Sequence, residues 1–225
     1  MVETVKIDPA WLRPTWFIDF DDEAVSRFAE DAAGAGSNEV ETARDLFYAV
    51  RDGFRYDPYE TSHAPEAFRA STIVGTSANW CIPKSVLFVA AARHHGIPAR
   101  LGFADVRNHL TSKKLSERMG SDVFAWHGYA ELLLDGRWVK LSTAFNIGLC
   151  ERFGVKALEF DPIKGALMHP FDQHGNKHME YIRQRGSFDD LPLTQILETF
   201  AQVYPQRPAD GAAPDDSGWD PAFHG

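Results

Sequence analysis

The sequence predicts an α+β fold in which a helix packs against an antiparallel sheet. In the first half, apolar residues recur at helical spacing. In the second half, strand-like segments flank Asp135-Gly136, a dipeptide typical of a two-residue hairpin turn. Helices grouped before strands favour an α+β arrangement over alternating βαβ units.

The first half opens on the aromatic-rich segment WLRPTWFIDF, which we expect to lie on the core before an acidic helical segment that begins near Asp21. The next helix is predicted from Asn38, a suitable cap, to about Gly53. Its apolar positions share one face: Val40, Ala43, Leu46, Phe47 and Val50. Residues 57–79 then form a long polar connection, and connections of that length inside compact domains are often functional.

Cys81 precedes the next predicted helix. Pro83 suits a first helical turn, and Gly96 and Pro98 end the helical pattern. The helix dipole and the unpaired amide protons of a first turn both favour a thiolate over a thiol. Cys81 is therefore a candidate nucleophile, and a small buried structural residue is the alternative.

Three strands are predicted in the second half, over residues 99–106, 123–134 and 137–143. A two-residue turn pairs Leu134 with Arg137 and, by extension, residue 129 with residue 142 and residue 127 with residue 144. One face then carries four polar side chains: His127, Tyr129, Glu131 and Ser142.

His127 is the candidate base on this face. In the extended pairing His127 and Ser142 are diagonal neighbours, so the hydroxyl could orient the imidazole directly or through water. A β-bulge would break this inference. The alternatives are a strand histidine bonded to backbone for His127, and ordinary cross-strand pairs for Tyr129 and Glu131.

The rest of the chain gives weaker patterns. Residues 169–192 are predicted to be mostly irregular, 193–204 to form a short amphipathic helix, and the Pro-, Gly- and Asp-rich residues 205–225 to form a flexible tail. A single domain over residues 1–204 follows, with its core at about 40–148.

Composition excludes several classes of function. The chain has 23 basic and 32 acidic residues, a net charge of −9, which disfavours nucleic-acid and membrane partners. Its N-terminus lacks a secretory signal pattern, and no apolar run has the length of a membrane span. We therefore expect a cytoplasmic protein with two free thiols, of which Cys150 is structural.

A metal site is the weakest of the candidate sites. His169, His174, His178 and Glu180 lie close in sequence, but their spacing fits no standard zinc motif. Surface histidines in a loop are the preferred interpretation, so no cofactor or metal is predicted. Asn108 and His109 follow a strand and could border a substrate groove.

The combined motifs resemble the transglutaminase-like superfamily, which has a papain-like cysteine fold. The resemblance covers about residues 40–148: a cysteine at a helix start, GIPAR after that helix, a histidine on a strand, DGRW, and a strand that ends in a polar residue. It implies that Cys81 is the nucleophile and His127 the base. The family usually has aspartate as the third residue, whereas Ser142 stands here, fifteen positions after the histidine. Asn146 is the other candidate orienter.

The resemblance implies thiol-dependent acyl transfer or hydrolysis of an amide, peptide or isopeptide bond through a thioester. Oxyanion donors would be the Cys81 amide and a side chain such as Trp80 or Asn79. A neutral hydroxyl supports an imidazolium less than a carboxylate does, so we expect a slower or more specialised enzyme. A catalytically silent binding module is the alternative, and Ser142 is its main support.

Overall fold

A four-stranded antiparallel sheet in the order β5-β4-β3-β6 lies at the centre of the computed structural model. Residues 6–34, 36, 38–109, 111–167, 172, 174–204 and 220–224 are described. The helices are α1 (Glu23–Ala33), α2 (Glu39–Gly53), α3 (Ala70–Ile73), α4 (Cys81–His94), α5 (Lys113–Met119), α6 (Ile147–Phe153), α7 (Leu193–Val203) and α8 (Pro221–His224). The strands are β1 (Arg55–Tyr56), β2 (Ala78–Asn79), β3 (Ala99–Asn108), β4 (Val123–Leu134), β5 (Arg137–Leu141) and β6 (Met179–Phe188). The α+β prediction is confirmed.

Helix α4 is the central element of the core. It packs on β4 and β3 and is covered by α1, α2 and α3, so every residue from Cys81 to Arg93 is buried. Its polar side chains are satisfied by backbone carbonyls. Lys84 Nζ donates to the carbonyls of Arg51 and Phe54 at 2.9 and 2.5 Å, at the end of α2. A buried amino group with such partners fixes α4 against α2.

The predicted hairpin register is confirmed from the Leu134–Arg137 pair to the Ala130–Leu141 pair. The strand itself is shorter than predicted. β5 ends at Leu141, and the Ser142 N–H donates to the Ala166 carbonyl at 2.8 Å. The expected pairs of residue 129 with 142 and of 127 with 144 are therefore absent from the ladder.

Strand β6 corrects the prediction that residues 169–192 are mostly irregular. It pairs with β3 along its length at the edge of the sheet. Most of its side chains are exposed or half-buried, so its sequence lacks the apolar alternation by which strands are identified. Helices α5 and α6 likewise lie in segments for which no helix was predicted.

The connection predicted at residues 57–79 is more ordered than its polar sequence indicates. It contains α3 and ends in β2, which pairs in parallel with β1. Tyr59, Phe68 and Ile73 are buried. The connection therefore contributes to the core and brings Cys81 back beside the end of α2.

Of the predicted tail, residues 205–219 lie outside the described residues, and flexibility stays a prediction. Residues 221–224 form α8, and Asp220 and Phe223 are buried. The predicted helix at 193–204 is present as α7. Within the part of the chain that the structure describes, none of the helices combines the length and apolarity needed to cross a bilayer.

Candidate active site

Cys81 is the first residue of α4, and Trp80 is the N-cap. Cys81 therefore lies at a helix start, as predicted, but it is not the expected thiolate. Burial raises the pKa of the Cys81 thiol to about 11, although the backbone N–H groups of Gly128, Ile82 and Cys81 itself act in the opposite direction. The expectation of a lowered pKa is corrected: Cys81 rests as a thiol.

The early end of β5 gives Cys81 its neighbour on β4. Since the last ladder pair is Ala130–Leu141, no β5 residue pairs with Gly128. The Gly128 N–H interacts with Cys81 instead. A Cβ at Gly128 would lie 3.2 Å from Ile82 Cα and 3.4 Å from the Cys81 carbonyl oxygen. Glycine therefore lets the strand approach the start of the helix.

A β-bulge lies directly before His127. β3 pairs Ala104 with His127 and Val106 with Phe124, so Ala125 and Trp126 together oppose one β3 residue. Trp126 has a φ of 58°, a left-handed conformation that is costly for a bulky side chain. The extra residue of the bulge places the side chains of Phe124 and His127 on the same face of the sheet, and both line one pocket.

Side chains from distant segments stabilise the bulge. Asp105 Oδ1 accepts the Trp126 N–H at 3.0 Å, and the Tyr204 hydroxyl accepts the Ala125 N–H at 2.7 Å. Arg185 donates to both Asp105 oxygens, at 2.7 and 2.9 Å, and its guanidinium carbon lies 4.8 Å from the centroid of a Trp126 ring. The N–H groups that the bulge removes from the ladder are thus satisfied.

His127 is buried and neutral. Burial lowers its pKa to about 4. Its Nε2 atom is buried, and no hydrogen bond from the described residues reaches it. A buried polar atom of this kind in a pocket wall is a candidate for contact with a substrate or a transferred proton.

Cys81 and His127 line the same pocket, which encloses about 580 Å³ including the part open to solvent. Most of the wall is aromatic or aliphatic, and the pocket also has one arginine. The complete lining is Tyr56, Pro58, Trp80, Cys81, Leu115, Arg118, Met119, Phe124, Ala125, His127, Phe200 and Tyr204. An apolar pocket with few polar groups is typical of a small-molecule or side-chain site.

The structure brings together only some of the predicted site residues. Trp80 lines the pocket, whereas Ser142, Asn146 and Asn79 do not. Asn79 Nδ2 donates to Thr76 at 2.8 Å, and Asn146 Oδ1 accepts the N–H of Tyr56 at 2.9 Å. Asn146 therefore supports a wall residue of the pocket.

Ser142 is buried, and its Oγ atom has no hydrogen-bond partner among the described residues. The expected direct bond to His127 is absent. β5 and its ladder with β4 end at Leu141, one residue before the position where the family has its carboxylate.

Tyr129 and Glu131 do not line the pocket; they act as cross-strand partners. Glu131 accepts from Arg100 Nε at 2.7 Å and lies 3.7 Å from Lys140 Nζ. The Tyr129 hydroxyl donates to Gln184 at 3.1 Å. The structure thus supports the interpretation of Tyr129 and Glu131 as ordinary cross-strand pairs.

The late histidines that the structure describes form no shared metal site. His178 is buried and stacks on Phe145, whereas His109 lies 3.3 Å from Glu180. His169 lies outside the described residues. Across the described ranges, no group of three or more His, Cys, Asp or Glu side chains is arranged to hold a metal ion.

Most residues of the pocket wall were not among the site residues predicted from the sequence. α5 had a detectable signal, since Ser112 caps it, Gly120 ends it, and Leu115, Arg118 and Met119 share a helical face. The contributions of Phe200 and Tyr204 had no local signal, because α7 reaches the pocket only through the tertiary fold. Gly128 was missed because its role depends on an approach between distant segments.

Comparisons with known proteins assign the chain to a superfamily. No curated protein matches the chain significantly. A solved structure from Cytophaga hutchinsonii, a proposed cysteine protease, aligns with 18% identity and a TM-score of 0.47 over 63% of this chain and 45% of that one. The chain thus spans less than half of that protein. The sequence profile of the transglutaminase-like superfamily matches residues 26–143, more than half of the 225 residues, and the chain belongs to that superfamily.

Proposed function

We propose that the protein is a thiol-dependent enzyme that transfers or hydrolyses the acyl group of an amide, peptide or isopeptide bond. One observation carries the proposal: Cys81 and His127 line one pocket, and a buried nitrogen of His127 has no partner among the described residues. Membership of the superfamily supports a cysteine-dependent reaction. The free thiols support a cytoplasmic location, the net charge of −9 disfavours nucleic-acid and membrane partners, and the superfamily favours a protein, peptide or amide substrate.

The chemistry starts from a neutral pair, since burial favours the thiol of Cys81 and the imidazole of His127. As sulfur attacks the carbonyl carbon, its proton passes to the imidazole and the carbonyl π electrons move to oxygen. The tetrahedral intermediate then expels the amine, which takes the proton from the imidazolium. A thioester on Cys81 remains, and water or an amine releases the acid or a new amide.

Proton transfer during attack fits this site better than a resting ion pair. Burial of both side chains disfavours both charges before the substrate binds, and the carbonyl oxygen becomes the site of the developing charge. Trp80 is the better placed of the two predicted side-chain donors for that oxygen, because it lines the pocket. We assign the backbone N–H of Cys81 as the second donor.

Ser142 defines how this enzyme departs from the usual triad. Without a carboxylate, the imidazolium formed during attack lacks a charged partner, which lowers the expected rate. We propose that Ser142 supports His127 only through an intervening water, because no direct bond is present.

Labelling with electrophilic amide and ester probes tests the function. Intact mass should show one acyl or alkyl adduct per chain, mapped to Cys81. Cys81→Ser should lose the adduct, His127→Ala should acylate slowly, and Cys150→Ser should behave like wild type.

A primary amine added during turnover should divert product from acid to amide if the enzyme is a transferase, and should change nothing if it is a hydrolase.

A silent binding module is the second candidate, and Ser142 together with the raised pKa of Cys81 favours it. Folded protein with reduced Cys81 that forms no adduct with any amide, peptide or ester probe would establish this candidate over the enzyme.

A further inference from the structure

One wall of the pocket belongs to α5, which is held in place at both ends. Ser112 Oγ accepts the Leu115 N–H at 3.1 Å, and Gly120 ends the helix in a left-handed conformation with a φ of 64°. Leu115, Arg118 and Met119 follow at helical spacing and all line the pocket. Arg118 is therefore presented to the cavity by a capped helix.

Arg118 has no ion pair among the described residues. Its guanidinium carbon lies 5.1 Å from the centroid of the Tyr59 ring. The nearby carboxylate of Asp220 is already engaged, since it accepts hydrogen bonds from the Tyr59 hydroxyl at 2.8 Å and from Ser112 Oγ at 2.5 Å. Some arginines elsewhere pair with acids, namely Arg51, Arg69, Arg100, Arg107 and Arg185, whereas the buried Arg93 donates to backbone carbonyls.

Arg118 places at the pocket a positive charge that has no acidic partner among the described residues, in a chain with a net charge of −9. The guanidinium group is always charged and can hold a carboxylate through two parallel hydrogen bonds. In the pocket it stands beside apolar walls formed by Trp80, Phe124 and Phe200. This pairing of a cation with aromatic walls matches a ligand that is apolar along its length and anionic at one point.

We infer that the pocket takes an amide substrate whose acyl part joins an apolar group to a carboxylate, and that Arg118 binds this carboxylate. The inference rests on the proposed function for the orientation of the substrate, with the scissile carbonyl at Cys81. The selectivity for a carboxylate rests on Arg118 and the walls alone. The preference for a carboxylate ligand depends on the charge of Arg118, so it should weaken as the salt concentration increases.

Binding measured by titration calorimetry tests the selectivity without turnover. The ligands are 4-phenylbutanoate and its neutral amide, and all proteins carry Cys81→Ser so that the amide is not consumed. The parent should bind the carboxylate about tenfold more tightly than the amide, in line with one charge-assisted pair. Arg118→Gln should bind both equally.

Arg137→Gln is the matched control, because it removes the same charge from an exposed position in the β4–β5 hairpin. It should retain the preference for the carboxylate. Equal affinities in the parent, a preference that survives Arg118→Gln, or no binding of either ligand would each overturn the inference. Thermal unfolding of each variant verifies that it is folded.

Turnover separates this inference from the proposed function. Wild type should release 7-amino-4-methylcoumarin faster from succinyl-phenylalanyl than from acetyl-phenylalanyl amide, and Arg118→Gln should remove the difference. If turnover depends on Cys81 but shows no preference for the succinyl substrate, the inferred selectivity is overturned and the proposed enzymatic function stands. Carboxylate-selective binding without any Cys81 adduct overturns the enzyme alone and supports an anion-binding module.

Discussion

At the residue scale, Cys81 and His127 form a neutral pair because the same burial shifts their pKa values in opposite directions. The thiol is raised to about 11 and the imidazole is lowered to about 4. In a Cys150→Ser background, the rate of Cys81 alkylation by iodoacetamide should therefore keep rising from about pH 7 to about pH 10. Mass spectrometry at each pH measures it. A plateau already reached near neutral pH would show a resting thiolate and contradict the neutral pair.

Burial of neutral His127 also predicts a loss of stability in acid. The unfolded chain has an ordinary histidine pKa of about 6.5, so between about pH 6.5 and pH 4 it binds a proton that the folded chain does not. The free energy of unfolding should fall as the pH decreases through this window. Urea unfolding at several pH values should show a smaller fall for His127→Gln than for wild type. Identical pH profiles would assign the acid sensitivity to other groups.

At the scale of elements, the bulge in β4 positions His127, and Asp105 holds the bulge. Asp105→Asn weakens the contact with Arg185 and should lower kcat/KM about ten- to hundredfold, mainly through kcat, because small displacements of a catalytic group are costly. The matched control is Asp122→Asn, whose carboxylate pairs with Arg107 at the surface. Equal activity of the two variants would show that the bulge does not need Asp105.

The contact between α4 and β4 depends on Gly128. A methyl group there would press on Ile82 and the Cys81 carbonyl, so Gly128→Ala should lose about 1–3 kcal/mol of stability and slow alkylation of Cys81. Gly53→Ala is the control, since nothing lies within 4 Å of its added Cβ. Urea unfolding measures both variants. A neutral Gly128→Ala would mean that the helix start tolerates a wider separation.

At the scale of the whole molecule, the last described residues complete the core beside the pocket. Phe223 is buried against Tyr56, Tyr59 and Phe153, with ring centroids 6.3, 5.9 and 5.5 Å away. Phe223→Ala should lower the free energy of unfolding by about 3 kcal/mol. Ile163→Ala, at a position that is 68% exposed, should change it little. Equal stability of the two variants would show that α8 is not part of the cooperative fold.

Local patterns in the sequence determined the elements that carry Cys81 and His127. Pro83, Gly96 and Pro98 mark the helix that begins at Cys81, because they act on the backbone where they stand. Asp135-Gly136 set the hairpin register in the same way. The candidate nucleophile and base were thus predictable, whereas β6 was not, since a polar edge strand need not bury an alternating apolar face.

The tertiary structure alone decided how these residues are presented. β5 ends at Leu141, so the predicted pairing of Ser142 with β4 is absent, and the Gly128 N–H on the edge of β4 interacts with Cys81. Arg185, 80 positions from Asp105 along the chain, helps to hold the bulge. Burial, which no local pattern measures, reversed the expected shift in the pKa of Cys81. Each of these outcomes depends on segments far apart in sequence, and backbone pairing and solvent exclusion exist only once those segments meet.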